Sequence, residues 1–197
     1  MKKTLTPFLF LLFFLPNINS AFSMQPDVFV QSTVNRASKV LSNNTSRQKK
    51  IDKLKLIAKE TVFIEKVGSY SLGSFRKKLN NEQKTKYLFL FEEYFLKSFS
   101  SRLSEWTNPH ISVNSKKVIN ENYTMVNSIL KSTNERPEVK IDWRIYTKNP
   151  ENPLIVDVVI EGLSLARTQR EEFSSILNSN DGDINALFKT LETFIDN

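Results

Sequence analysis

The chain has no cysteine and one histidine, His110, among 197 residues. Without cysteine there is no disulfide framework and no acylation site of the bacterial-lipoprotein kind. One histidine cannot make the usual zinc sets. Glycine is nearly as scarce, with Gly68, Gly73, Gly162 and Gly182 the complete set. That excludes a phosphate-cradling glycine loop and a loop-rich scaffold. A fold without staples lives on its hydrophobic core, and a chain of this size supplies one in a single domain. Beyond the N-terminus, no run approaches the roughly 20 apolar residues that a membrane span needs.

The N-terminus, MKKTLTPFLFLLFFLPNINSAFS, carries Lys2 and Lys3, an apolar stretch from Leu5 to Leu15, and the breakers Pro16, Asn17 and Asn19. Ala21 and Ser23 then offer small residues for cleavage. This pattern predicts a secretory signal peptide over residues 1–23. Its apolar part is about half a membrane span, which favours cleavage over an anchor. The expected mature domain is residues 24–197, exported. Without Lys2 and Lys3 the chain keeps 26 basic against 21 acidic residues, a net charge near +5. That charge suits an anionic surface or acidic partners, or is simply a basic solvated face. A nucleic-acid role does not fit export.

Hydrophobic periodicity divides the mature chain. Pro26-Asp27 opens a helix in which Val30, Val34, Ala37 and Leu41 recur at three to four residues. Asn43 to Ser46 stop it, and a second helix from Arg47 aligns Ile51, Leu54 and Ala58. Gly68 and Gly73 then sit in helix-compatible sequence, each costing about 1 kcal/mol relative to alanine in a helix interior. They imply close packing or a break between short helices. Asn80 with Gln83 three residues on forms a capping box for a long helix reaching Trp106. Its stripe is Leu88, Phe91, Phe95, Phe99, Leu103 and Trp106, widened by Tyr87, Leu90 and Tyr94. Such a stripe is either plain core or the wall of an apolar cavity.

The period changes in the second half. In VKIDWRIY, Val139, Ile141, Trp143 and Ile145 alternate with polar residues and Tyr146. In LIVDVVIE, Leu154, Val156, Val158 and Ile160 share one face. The turn formers KNPENP between them predict an antiparallel hairpin. Residues 117–130 read as a further strand and Ile111 to Asn114 as a short one. Helices from Ser164 to Asn178 and from Asp183 to Ile195 close the chain. The order is helices over 27–106, sheet over 111–161 and helices over 164–195, which predicts an α+β fold with an antiparallel sheet covered on one face.

Chemistry finds little purchase. Gly162-Leu163-Ser164-Leu165-Ala166 is one residue from a nucleophile elbow, but that elbow needs the order serine, acid, histidine. His110 comes before Ser164, so the serine reads as a helix cap. Glu92-Glu93 and Glu171-Glu172 are adjacent pairs that point apart on a helix. Asp157 and Glu161, opposite the apolar positions of their strand, are expected to face solvent. Asp181-Gly182-Asp183 is too short for a calcium loop. The expectation is a protein that is not an enzyme and has no metal.

Two segments together resemble the MlaC family, also called the toluene-tolerance auxiliary family. VGSYSLGSFRKKLNNEQKTKYLFLFEEYFLKSF (67–99) has the family's Leu72-Gly73, the aromatic Phe75, and Glu82-Gln83 opening a long helix with Phe91, Tyr94 and Phe95. VDVVIEGLSLARTQREEFSSIL (156–177) is similar to the family's second segment at Asp157, Glu161, Gly162, Leu163, Ser164 and Phe173. The likeness spans about residues 27–195. It departs near Phe75, where the family often has tryptophan, and near Phe63, where it often has an acidic residue.

The resemblance implies a periplasmic phospholipid-binding protein, a monomer with phospholipid as cargo and no cofactor. Its partners would be an inner-membrane ABC transporter complex with a membrane-anchored substrate-binding subunit, and an outer-membrane lipoprotein–porin complex. The task would be outer-membrane lipid asymmetry, with no nucleic-acid partner. The fold would be a twisted antiparallel sheet packed against several helices, with an apolar lipid cavity between them. The inward faces nominate Leu72, Phe75, Leu88, Phe91, Phe95, Phe99, Trp143, Ile145, Val156, Val158, Ile160 and Leu163 as its lining. Burying one methylene is worth about 0.8 kcal/mol, so roughly 30 methylenes in two chains would cost on the order of 20–25 kcal/mol to expose. A carrier therefore needs a dry slot and no catalytic group. The rival reading is an exported binding or assembly module of the same α+β class that holds no lipid.

Overall fold

The computed structural model describes residues 23–134 and 136–197; the expected signal peptide, but for Ser23, lies outside the described residues. Helix α1, Pro26–Ser42, begins with proline in its first turn and buries Phe29, Val30, Val34 and Leu41. Helix α2, Arg47–Thr61, is capped by Ser46, whose hydroxyl accepts from the Lys49 N–H. Helix α3, Ile64–Ser71, gives way to a 3-10 turn over Gly73–Lys77. Both expectations for the glycines hold. Gly73 takes φ +57° where α3 ends, a conformation that suits glycine. At Gly68 an added Cβ would lie 2.7 Å from Cδ1 of Phe91, so helix α4 can approach only because no side chain intervenes.

Helix α4, Asn81–Leu103, opens with both halves of the capping box between Asn80 and Gln83. It stops three residues before the predicted Trp106. Asn108 follows with φ +47° and precedes Pro109, and the position before proline disfavours helix. The sheet is a meander of β1 (Ile111–Asn120), β2 (Tyr123–Leu130), β3 (Val139–Tyr146), β4 (Leu154–Ile160) and β5 (Leu163–Ser164), in that order and antiparallel throughout. Helices α5 (Leu165–Asn178) and α6 (Ile184–Asp196) complete an α+β fold.

Two details differ from the sequence expectation. Residues 117–130 form two strands folded back at Glu121-Asn122. The turn has no glycine to announce it; instead Asn120 Oδ1 accepts from the Asn122 N–H at 2.9 Å, an Asx turn. In β4 the alternation breaks. Trp143 faces Val158 and Ile141 faces Ile160, but Ile145 faces Ile155, so Val156 is the extra residue of a β-bulge. Ile155 takes the buried position, and Leu154 lies across from Tyr146.

Burial concentrates in two clusters. One is helical, built on Tyr87, Phe91 and Leu96 of α4, Phe173 and Leu177 of α5, and Leu187, Phe188 and Leu191 of α6. The other lies under the sheet, where Phe29, Val30 and Val34 of α1 meet Val126, Ile145 and Ile155. Val62, at the end of α2, packs against both.

Candidate functional site

The nominated lining residues separate between the two clusters. Leu72 and Phe91 are fully buried in the helical one, with Phe75, Leu88, Phe95 and Phe99 half-buried against it. Ile145 is buried under the sheet, with Trp143 and Val158 packed beside it. Val156 and Ile160 are half-buried and pack against neither cluster. Leu163 is 58% exposed beside the β4–β5 turn. The structure thus gathers six of the twelve in the helical cluster, four of them on α4, and three beneath the sheet.

Along α4 the rings form a continuous track. Phe194 meets Tyr94 at 4.9 Å between centroids, and Tyr94 meets Phe173 at 6.0 Å and Phe91 at 6.5 Å. Phe91 stacks on Phe95 at 6.1 Å, and Phe95 lies nearly parallel to Phe99 at 5.5 Å. Such pairs add about 0.5–1.5 kcal/mol each beyond area burial. The track reaches the surface in a cleft of about 460 Å³ between α4, α5 and α6, bordered by Tyr94, Phe173, Ile176, Leu191 and Phe194, with Gln169, Glu172, Ser175 and Thr190 as its polar rim. A second cleft of similar volume lies along α1, lined by Val28, Gln31, Ser32, Asn35, Arg36 and Lys39. Neither lies between the sheet and α4, where a cavity was expected. Sequence reasoning placed Tyr94 on the stripe but passed over Ile176, Leu191 and Phe194. The apolar spacing of Leu187, Leu191 and Phe194 in the last helix was the available signal.

The polar atoms of the track are paired. Tyr94 donates to Gln169 Oε1 at 3.0 Å, and Tyr87 donates to the Gly68 carbonyl at 2.9 Å. Burial pushes both phenols above their ordinary range, helped at Tyr94 by the charge of Glu172. Both stay neutral at physiological pH. Under the sheet, Trp143 Nε1 donates to Ser128 Oγ at 2.8 Å, and that hydroxyl donates to the Ile141 carbonyl at 3.0 Å.

Ser164 is a cap, as expected. Its hydroxyl accepts from the Arg167 N–H at 3.1 Å and donates to Asp157 Oδ2 at 2.7 Å. Asp157 is a correction: it is buried, 7% exposed, and its other oxygen accepts from the Ala166 N–H at 3.1 Å. The bulge and the first turn of α5 enclose a carboxylate that simple alternation assigned to solvent. His110 precedes β1 while Ser164 lies in β5 at the opposite edge of the sheet. Four strand spacings, about 19 Å, separate those edges, so the two side chains do not form a dyad. Among the described residues no group of three His, Asp or Glu side chains could hold a metal ion, and no helix is long and apolar enough to cross a membrane.

A family model described as MlaC protein matches residues 31–193. No curated protein matches the sequence. Among solved structures, the chain is similar to the phospholipid-binding protein from Ralstonia solanacearum, determined in complex with a phospholipid. The TM-score is 0.72 at 17% identity, over 88% of this chain and 98% of that one. At that identity the likeness establishes the fold alone.

Proposed function

The chain belongs to the MlaC family, and from that premise we propose that it is a periplasmic phospholipid carrier. It would load lipid at one membrane complex and release it at another, the two being an inner-membrane ABC transporter with its membrane-anchored substrate-binding subunit and an outer-membrane lipoprotein–porin complex. The result would be maintained asymmetry of the outer membrane. The family match across residues 31–193 carries the reading. The ring track along α4 supports it physically, because acyl chains need apolar lining and the track's phenols stay neutral. Handover then follows from differential affinity of empty and loaded forms for each complex, with no covalent intermediate.

An exported module that binds no lipid is the competing reading. It is favoured by the tight packing of Tyr87 and Phe91, each 1% exposed, behind the cleft. Native mass spectrometry of residues 24–197, exported and purified without detergent, separates the two. The expected result is a stoichiometric adduct of phospholipid mass, with the headgroup identified by fragmentation of the extract. A bare mass that persists after incubation with phospholipid vesicles would leave the non-lipid module as the better account.

A further inference from the structure

A cation stands among three rings where α3 meets the sheet. Lys66, in the first turn of α3, is half-buried. Its ammonium lies 4.4 Å from the ring centre of Tyr146, 5.6 Å from that of Phe63 and 5.9 Å from that of Tyr123. The rings come from the α2–α3 junction, the start of β2 and the end of β3, and they touch one another. Phe63 meets Tyr146 at 5.6 Å between centroids, and Tyr123 meets it at 5.5 Å. Ring faces attract a cation but offer no oxygen to its N–H groups. Elsewhere a lysine beside a ring has such an oxygen. Lys86, over Phe188, pairs with Glu192 at 2.9 Å, and Lys97, near Phe194, donates to the Ile195 carbonyl at 2.7 Å. Among the described residues the Lys66 ammonium has neither an ion pair nor a hydrogen-bond acceptor.

Its surroundings hold more unused donors. The hydroxyls of Tyr123 and Tyr146 have no hydrogen-bond partner among the described residues. These two residues are register partners on β2 and β3, and the next pair on that face is Met125 with Arg144. Arg144 stands about 7 Å along the strand from Tyr146. It is exposed and forms no ion pair among the described residues. The acids nearby are engaged or apart. Asp157, across from Arg144, accepts from the Ser164 hydroxyl and the Ala166 N–H. Asp142, two residues before Arg144, accepts from Asn127 Nδ2 at 2.7 Å. Glu65 is exposed and forms no ion pair with Lys66. Two full charges and two phenolic O–H groups thus gather without a protein anion paired to any of them.

We infer that Lys66 and Arg144, with the Tyr123 and Tyr146 hydroxyls, form a binding site for a phosphate group, either the headgroup phosphate of a carried phospholipid or free inorganic phosphate. A tetrahedral phosphate presents acceptor oxygens in several directions and so takes donors arriving from different elements. Lysine supplies it a point charge and arginine a planar fork. The rings place the Lys66 ammonium beforehand, which lowers the ordering cost of binding. The position suits a headgroup, because Phe63 follows Val62, the residue packed against both hydrophobic clusters. A phosphate bound here stands beside the junction of the two apolar regions. The lipid source rests on the carrier reading above; the inorganic source does not.

The test uses residues 24–197 freed of carried lipid. Its probes are dihexanoylphosphatidylglycerol and dihexanoylglycerol, both added as monomers, and inorganic phosphate. Affinity and amide chemical shifts are read together. The unaltered protein is expected to prefer the phospholipid over the diacylglycerol by about tenfold or more, the factor one charged hydrogen bond supplies, with shifts at residues 66, 123, 144 and 146. Lys66→Met, which keeps an apolar stem among the rings, and Arg144→Gln are each expected to lose about tenfold in phospholipid affinity and none in diacylglycerol affinity. Lys66→Arg should keep the preference. Tyr123→Phe combined with Tyr146→Phe keeps both rings and should lose a smaller part. Binding of inorganic phosphate that Lys66→Met abolishes, without a preference between the lipids, assigns the site to free phosphate. Undiminished phospholipid preference in both Lys66→Met and Arg144→Gln overturns the site. So does a lower Tm in Lys66→Met with unchanged binding of every probe, the result of a purely structural ring clamp. If the unaltered protein binds neither lipid, the carrier reading falls and inorganic phosphate decides the site: binding lost in Lys66→Met sustains it, and no binding overturns it.

Discussion

The two hydrophobic clusters are built from different side chains. The helical cluster carries the rings: Tyr87, Phe91, Phe173 and Phe188 sit among aliphatic side chains such as Leu96, Leu177, Leu187 and Leu191, and Phe75, Tyr94, Phe95 and Phe99 remain half-buried around them. The sheet cluster is smaller and mostly β-branched, with Val30, Val34, Val126, Ile145 and Ile155 beside Phe29. β-Branched side chains have few rotamers and set firmly on a pleated surface. The rings along α4 meet instead in tilted and stacked pairs. The sheet side is therefore held by side chains with few rotamers and the α4 side by contacts between rings.

The largest expected effect tests whether the clusters are independent. Phe91→Ala should cost about 3–5 kcal/mol and Ile145→Val about 0.5–1.5 kcal/mol, read from urea midpoints at constant m. With Val62 the residue packed against both, the double variant should equal the sum to within about 0.5 kcal/mol. A larger coupling would mean one continuous core and would break the comparison. Next comes the joint. Asp157 stands on β4 and holds the first turn of α5 through Ser164 and the Ala166 N–H. Asp157→Ala leaves a buried donor unpaired and should cost about 1–3 kcal/mol, by the same measurement. A neutral result would show that α5 is seated by packing alone.

The smallest effect lies on the sheet side, where Lys116 pairs with Asp27 of α1 at 2.7 Å. The hydrogen bond from Lys116 holds the Asp27 carboxyl below its ordinary value of 3.8. A depressed carboxyl stabilises the fold above its unfolded pKa, and that contribution fades as the pH falls through its folded value. Both side chains are about a third exposed, so Lys116→Ala should cost well under 1 kcal/mol at neutral pH. The difference from the unaltered protein should vanish in acid below that range. A difference that persists there would point to packing of the lysine stem instead.

Local pattern was legible where it acts over a few residues. The capping box at Asn80 and Gln83, the cap at Ser164, the helices from Pro26 and Arg47 and the β3–β4 hairpin follow from sequence, because each depends on neighbours three to six positions apart or on a cluster of turn formers. Family membership was legible for the same reason, as short segments in a fixed order. Tertiary structure alone decided three things. The Val156 bulge buried Asp157 against a helix that comes later in the chain. Gly68 proved to be a contact surface for Phe91, 23 residues away. Helix α6, plain in sequence, became the wall of the cleft through Leu191 and Phe194. In each case the outcome depends on which distant surface arrives, and periodicity carries no information about that.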